Sequence, residues 1–238
     1  MKGVILAGGS GTRLRPMTHV VNKHVIPIYD KPMIYYPVET LVESEIDEIL
    51  VISNSEHIGK YIQLLERDFD ADFSYKVQTE AKGIADAVQL AKGFVDDSFA
   101  VVLGDNILFD DLSDEIQSFP TSDADAKIFV KEVDRPAAYG VASTADGEVT
   151  EIREKPDSPE SNLAVIGLYV YTTEVFDRIE SLEPSERGEY EISDINNQYA
   201  VEGTLDYEMI SSEWFDAGTP EGVFQASKHV RDDHRDKE

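Results

Sequence analysis

A glycine-rich turn near the N-terminus holds the first residues whose types could do chemistry. It spells LAGGSGTRL over residues 6–14, and Lys23 and Lys31 follow it. Glycines let a backbone approach an anion and direct N–H groups at phosphate oxygens, although three glycines alone are equally typical of a plain tight turn. Arg13 favours the anion site, because a planar guanidinium can bind a triphosphate through two parallel hydrogen bonds.

Two common nucleotide-binding patterns do not fit this turn. A Walker A loop needs Lys-Ser or Lys-Thr directly after its glycines, and neither pair stands there. The dinucleotide fingerprint needs a third glycine at the position of Leu14. The turn therefore favours neither a P-loop NTPase nor a nicotinamide dehydrogenase.

Two aspartates stand out by the residues around them, and the first of them stands where a metal ion could bind. Asp105 lies in VLGDN, after an apolar run, and Asp216 lies in WFDAGT, before Pro220. A carboxylate at the end of a parallel strand can hold magnesium against phosphate oxygens. Aspartates are also common in turns after strands, so Asp105 could instead be a turn residue. Asp216, before Pro220, fits a helix N-terminus, where it could cap the last helix. The residues alone leave both alternatives open.

The elements that must position these residues follow an α/β pattern. Short apolar strands alternate with amphipathic helices in the first half, which predicts a parallel sheet covered by helices on both faces. The predicted strands there are 3–6, 48–52, 73–77, 99–103 and 127–133. The predicted helices there are 33–44, 58–68, 84–93 and 112–118.

Beyond residue 139 the strands are more closely spaced. Strands are predicted at 139–143, 149–154, 164–171 and 205–210, and helices at 173–179, 191–202 and 220–231. We expect one doubly wound, Rossmann-like domain over residues 1–238, with a mostly parallel sheet and a β-rich appendage. Ligands bind such sheets beyond the carboxyl ends of the strands, where the loops after Leu6 and Leu103 lie.

Composition narrows the classes of function. The formal net charge is −27 at pH 7, which repels nucleic acid, although residues 1–31 carry five cations and only one acid. No cysteine is present, and the apolar runs are far shorter than the roughly 20 residues that cross a bilayer. We therefore expect a cytoplasmic protein that binds neither nucleic acid polymers nor membranes, with an acidic surface adapted to high salt.

Several motifs in a fixed order carry a specific resemblance. LAGGSGTRLRPMT with Lys23 and PIYDKPMIYYP resembles the sugar-1-phosphate nucleotidyltransferases, and within them most the glucose-1-phosphate thymidylyltransferases. The blocks VLGDN, YGV, EKP, IGLYVY and RGEYEISDIN agree in the same order, and the resemblance runs from residue 2 to about 228. It implies a nucleotide-binding half over about 1–135 and a sugar-binding half over about 136–238.

The resemblance implies roles for the matching residues. It places nucleotide contacts at Leu6, Gly8, Gly9, Gly11, Thr12, Arg13, Gln78, Gly83 and Asp105. It places sugar-phosphate contacts at Asn106, Gly140, Glu154, Lys155, Val165 and Tyr169, and a magnesium ion on Asp105 and Asp216. It implies that the catalytic residues are Arg13, Lys23, Asp105 and Lys155. The sequence departs from the family at His24, where glutamine is usual, and at Ala217, where threonine is usual.

The implied reaction joins dTTP and glucose 1-phosphate into dTDP-glucose and pyrophosphate. UTP is the alternative nucleotide, because a methyl group in a pocket discriminates by only about 1–3 kcal/mol. A noncatalytic nucleotide-sugar sensor is the alternative of another class, disfavoured because Arg13, Lys155 and both aspartates are present. The chain ends in a polar tail, 229–238, where longer family members carry a helical segment. The resemblance therefore leaves the oligomeric state open between a monomer and a homo-oligomer.

Overall fold

The structure is a computed structural model, and it is described for residues 1–236. The strands are β1 (Lys2–Leu6), β2 (Pro27–Ile28), β3 (Lys31–Pro32), β4 (Glu48–Ser53), β5 (Asp72–Val77), β6 (Phe99–Leu103), β7 (Asn106–Leu108), β8 (Ala126–Glu132), β9 (Gly140–Ala145), β10 (Glu148–Glu154), β11 (Leu163–Tyr171), β12 (Leu205–Met209) and β13 (Trp214–Asp216). The helices are α1 (Tyr35–Glu43), α2 (Ile58–Asp68), α3 (Ile84–Gln89), α4 (Ser113–Gln117), α5 (Val175–Glu180), α6 (Ile192–Glu202) and α7 (Pro220–Asp236).

A nine-stranded mixed sheet joins the two halves of the chain. Its main path runs β10-β9-β11-β6-β1-β4-β5, and β8 pairs with both β11 and β12. The strands of the first half, β6, β1, β4 and β5, are parallel. β11 runs antiparallel to β6, and all nine of its residues are buried. The predicted β-rich part is therefore hydrogen-bonded into the main sheet through β11.

Alternating side chains divide the core between the two faces of this sheet. Along β1, Val4 packs into the cluster on one face and Ile5 into the cluster on the other. The same alternation places Val101 and Val102 of β6 on opposite faces. Both faces are buried because helices cover them, which is the doubly wound arrangement that the sequence predicts.

Most predicted elements are present, and the differences concentrate at helix ends and very short strands. α3 ends at Gln89 rather than at 93, and Gly93 follows with a left-handed φ of 82°. α7 continues to Asp236, so the predicted polar tail is helical as far as that residue, and residues 237–238 lie outside the described chain. The strand pairs β2–β3 and β7–β13 were not predicted, because two or three residues carry no readable periodicity.

In the described residues, 1–236, no helix is both long enough and apolar enough to cross a bilayer.

Candidate active site

A cavity of about 400 Å³ opens beyond the carboxyl ends of the parallel strands. Its wall contains most of the predicted site residues, which are Leu6, Gly8, Gly9, Arg13, Lys23, Gln78, Gly83, Asp105, Asn106, Gly140, Glu154, Lys155, Val165, Tyr169 and Asp216. Gly11 and Thr12 lie just outside this wall. The cavity therefore sits at the sheet edge where the strand order predicts a ligand.

The glycine-rich loop takes a shape that only glycines adopt easily. Gly9 has φ 89° and Gly11 has φ 58°, both in the left-handed region. The hydroxyl of Thr18 donates to the Gly11 carbonyl over 2.6 Å, and a β-carbon on Gly11 would stand 2.8 Å from Thr18. Gly11 therefore shapes the turn. Leu14, fully buried, anchors the end of the loop in the core.

Asp105 and Lys23 form a close, largely buried ion pair. Lys23 Nζ lies 2.6 Å from Asp105 Oδ2, with 15% and 11% of the two side chains exposed. Burial acts to raise the pKa of Asp105, but the positive charges around it, that of Lys23 foremost, outweigh burial and hold the pKa below its ordinary value. Asp105 is therefore an anion throughout the neutral range.

A two-stranded ribbon brings Asp216 beside Asp105. β13 pairs with β7 so that Asp216 stands opposite Asn106, and the Ala217 N–H donates to the Asp105 carbonyl over 2.9 Å. A β-carbon placed on Gly218 would be 2.8 Å from Asp216 Oδ1 and 2.9 Å from Asp105 Oδ2. Both carboxylates therefore border one small volume, which a side chain at position 218 would fill.

The surroundings of Asp216 differ from those of Asp105. Burial and the negative charge of Asp105 raise the pKa of Asp216, and its nearest cation is the exposed Arg13, whose Nη1 lies 3.6 Å away. Asp216 does not cap α7. Thr219 fills that position, because its hydroxyl accepts from the Gly222 N–H over 3.1 Å. Asp216 itself accepts from the Gly218 N–H over 2.9 Å.

The cavity wall also contains Glu154, which is surrounded by donors. Lys155 Nζ and the Ser193 hydroxyl each donate to Glu154 over 2.7 Å, and Arg187 Nη2 lies 3.3 Å from it. Burial acts to raise the pKa of Glu154, but the hydrogen bonds from Lys155 and Ser193 outweigh it and lower the pKa. Lys155 has φ 41°, a strained conformation for a residue with a side chain.

Two residues that contact Glu154 have no role predicted from the sequence. Arg187 and Ser193 both line the cavity, and Arg187 also contacts Glu191 over 2.8 Å. Both belong to the RGEYEISDIN block, and the charged and hydroxyl side chains of that block were the feature of the sequence that could have indicated a role for them. Gly140 allows the close approach, since a β-carbon there would stand 2.9 Å from the Ser193 hydroxyl.

Gln78 and Gly83 border the third side of the cavity. The Gln78 side-chain amide donates to Asp86 Oδ2 over 2.8 Å. Gly83 has φ 108°, and a β-carbon on it would lie 2.5 Å from the Tyr190 carbonyl oxygen. Only glycine therefore fits at this position, where α3 begins.

Comparison with known proteins identifies this architecture. Residues 2–233 match the nucleotidyl transferase family. The chain belongs to that family. A low-salt glycan biosynthesis nucleotidyltransferase of Haloferax volcanii is 43% identical, with 98% of this chain and 67% of the relative covered. A glucose-1-phosphate thymidylyltransferase of Mycolicibacterium smegmatis is 41% identical, with 97% and 82% covered.

Solved structures agree with this nucleotidyltransferase assignment. A Bacillus anthracis protein assigned as a glucose-1-phosphate thymidylyltransferase, in complex with sucrose, superposes with a TM-score of 0.92 at 43% identity, covering 98% of this chain and 96% of the other. A UDP-glucose pyrophosphorylase complexed with UDP-glucose superposes with a TM-score of 0.86 at 26% identity, with 98% of each chain covered.

His24 of the nucleotidyltransferase lies behind the site rather than in it. The side chain is fully buried, and Nδ1 lies 3.1 Å from both Asn22 Oδ1 and the Tyr61 hydroxyl. Burial lowers the pKa of His24 well below its ordinary value, so the ring is neutral. A β-carbon on Gly104 would stand 2.8 Å from the imidazole, so His24 packs directly beneath the loop that carries Asp105.

Asn106 has a structural task in the nucleotidyltransferase. Its Oδ1 accepts from the Gly167 N–H over 2.9 Å and from Trp214 Nε1 over 2.7 Å. These two bonds tie β7 to β11 and to β13, which fixes the ribbon that carries Asp216.

Proposed function

We propose that this nucleotidyltransferase converts dTTP and glucose 1-phosphate into dTDP-glucose and pyrophosphate. The observation that carries the proposal is one cavity that is lined both by a carboxylate pair with cations and by the Glu154–Lys155 pair. The glucose-1-phosphate thymidylyltransferases that match over nearly the whole chain support this substrate choice.

The chemistry needs no nucleophile or general base from the protein. A sugar 1-phosphate already carries an anionic oxygen that can attack the α-phosphorus of the triphosphate in line. Catalysis then consists of positioning and charge neutralisation. We assign Arg13 and the glycine-loop amides to the triphosphate and departing pyrophosphate, and Lys155 to the incoming phosphate. Arg187, which contacts the same Glu154 carboxylate as Lys155, adds a second positive charge there.

The carboxylate pair fits a magnesium ion. Asp105 and Asp216 border one volume, and burial together with the negative charge of Asp105 raises the pKa of Asp216, so a cation bound there would offset an unfavourable pair of charges. Magnesium is commonly held by one or two carboxylates together with substrate phosphates, and no larger cluster of ligating side chains occurs within residues 1–236. Bound there, the ion would neutralise charge on the phosphates.

The division of labour between the halves of the chain is also a proposal. Residues 1–135 supply the glycine loop, Gln78 and Asp105 to the nucleotide, and residues 136–238 supply Glu154 and Lys155 to the sugar phosphate. Asp216 departs from this scheme, because the β7–β13 pairing carries it from the second half to the nucleotide end. We further propose a cytoplasmic enzyme whose acidic surface suits high salt.

The deciding experiment measures pyrophosphate release from glucose 1-phosphate, magnesium and each of dTTP, UTP, ATP and GTP. We expect dTTP to be used with the highest kcat/KM. UTP is the second candidate, because a UDP-glucose pyrophosphorylase shares the fold at 26% identity. Turnover confined to ATP or GTP would overturn the proposal.

A further inference from the structure

The amide of Gln78 has a defined orientation. Its Nε2 donates to Asp86 Oδ2 over 2.8 Å, and an ionised carboxylate can only accept. The NH₂ group must therefore face Asp86, and the carbonyl Oε1 must point away from it. Oε1 lies 3.2 Å from the place where a β-carbon would stand on Gly8, so it faces the glycine-rich loop.

Both partners of this hydrogen bond are carried by fixed backbone. Gln78 directly follows β5, and its N–H donates to the Ser53 carbonyl over 2.8 Å. Asp86 lies in the first turn of α3, between Ala85 and Ala87, which are both buried. Gln78 lines the cavity, whereas Asp86 stands behind it, outside the wall that the described residues form.

We propose that Asp86 is a positioning residue that fixes the amide orientation of Gln78 and so makes the base site select an imide edge against cytosine. The proposal rests on the proposed function, which assigns Gln78 to the nucleotide, and it takes the pyrimidine base to be the part of the nucleotide that Gln78 meets. Asp86 acts through Gln78 and does not itself touch the base.

The selectivity follows from the donor and acceptor pattern of each base. Thymine and uracil present an N3–H donor beside the O4 acceptor, which matches a glutamine that offers Oε1 to N3–H and its second amide hydrogen to O4. Cytosine presents the opposite pattern at both positions, an N3 acceptor beside an N4 amino donor. The same glutamine could pair with cytosine only after its amide turned over, which would direct Oε1 at the Asp86 carboxylate. Asp86 therefore penalises the orientation that cytosine needs.

The test compares kcat/KM for dTTP, UTP and dCTP, with glucose 1-phosphate and magnesium, in the wild type, Asp86→Asn and Asp86→Ala. Asparagine can accept from or donate to the glutamine, so either orientation becomes available, and alanine removes the constraint. We expect the dTTP-to-dCTP ratio to fall at least about tenfold in both variants, the loss typical of a charge-assisted hydrogen bond. The dTTP-to-UTP ratio should stay the same, because both bases share the imide edge.

Asp114→Asn is the matched control, since Asp114 is also an acidic residue in the first turn of a short helix, α4, remote from the cavity wall. It should leave all three ratios unchanged. An altered fold around Asp86 would lower activity with every nucleotide, whereas the proposal requires the ratio itself to move.

Two outcomes separate failure of this inference from failure of the proposed function. Wild-type turnover with dTTP, together with an unchanged dTTP-to-dCTP ratio in both folded Asp86 variants, would overturn the role of Asp86 alone. A wild-type enzyme that uses only purine triphosphates would overturn the proposed function, and the inference with it.

Discussion

Replacing Asp216 with asparagine separates a metal-binding role from a structural one. Asparagine has the same shape, and its side-chain oxygen can still accept from the Gly218 N–H that now bonds Asp216 Oδ1. The substitution therefore removes the charge and preserves the turn. Thr219, which caps α7, is untouched.

The effect on stability follows from the raised pKa of Asp216. An acid whose folded-state pKa is raised costs stability as the pH rises above its unfolded pKa, near 4, because the folded state then holds its proton more tightly. At pH 7 the wild type carries this cost and Asp216→Asn does not. We expect the melting temperature of the variant to be unchanged or higher in magnesium-free buffer.

The effect on turnover has the opposite sign. A metal ion supplies several kcal/mol of charge stabilisation, and each 1.4 kcal/mol is tenfold in rate, so Asp216→Asn should lower kcat/KM by about 100- to 1000-fold. The assay is pyrophosphate release with dTTP and glucose 1-phosphate across a magnesium titration. A folded Asp216→Asn variant with near-normal turnover at saturating magnesium would refute the shared-metal assignment.

Two companion variants sharpen this test. Asp105→Asn should lower both turnover and melting temperature, because it leaves the largely buried Lys23 without its partner. Thr219→Ala should cost about 1 kcal/mol of stability through the lost helix cap and keep near-normal turnover. An Asp216→Asn variant that behaved like Thr219→Ala would mean that its carboxylate serves only the backbone.

Three other measurements test separate parts of the reasoning. The melting temperature should rise with potassium chloride, because exposed carboxylates repel across a Debye length of about 30 Å at 0.01 M salt; equal values in dilute and concentrated salt would remove the high-salt interpretation. Lys155→Met should raise the KM for glucose 1-phosphate more than the KM for dTTP in initial-rate kinetics, and an equal rise in both would contradict its assignment to the sugar phosphate. Below about pH 6.5 the unfolded chain binds a proton at His24, whereas the buried imidazole of the folded chain stays neutral. As the pH is lowered, this group should therefore reduce the free energy of unfolding of the wild type by at most about 1.4 kcal/mol per pH unit. His24→Gln should show a shallower fall between pH 6.5 and 5 in thermal melts, and parallel curves would refute the buried neutral imidazole.

The order of the main strands and helices could be predicted from the sequence because each has its own local periodicity. β6 (Phe99–Leu103) and α2 (Ile58–Asp68) have the predicted bounds for this reason. The β7–β13 ribbon could not be predicted, because three-residue strands exist only through their pairing with each other. The end of α3 differs from the predicted bound because the chain continues past Gln89 in tight turns, in which the N–H groups of Leu90 and Ala91 donate to the carbonyls three residues back. The apolar spacing of such turns resembles that of a helix, so the sequence does not separate the two.

Residue types and motif order identify the family and the candidate contacts, because both are properties of the linear sequence. Only the tertiary structure decides which of these groups share a volume, because 110 residues separate Asp105 from Asp216 and only strand pairing brings them together. Burial is decided at the same level. Burial makes His24 neutral and raises the pKa of Asp216, because desolvation depends on neighbours that the linear sequence does not specify. The orientation of the Gln78 amide depends likewise on a tertiary neighbour, through its hydrogen bond to Asp86.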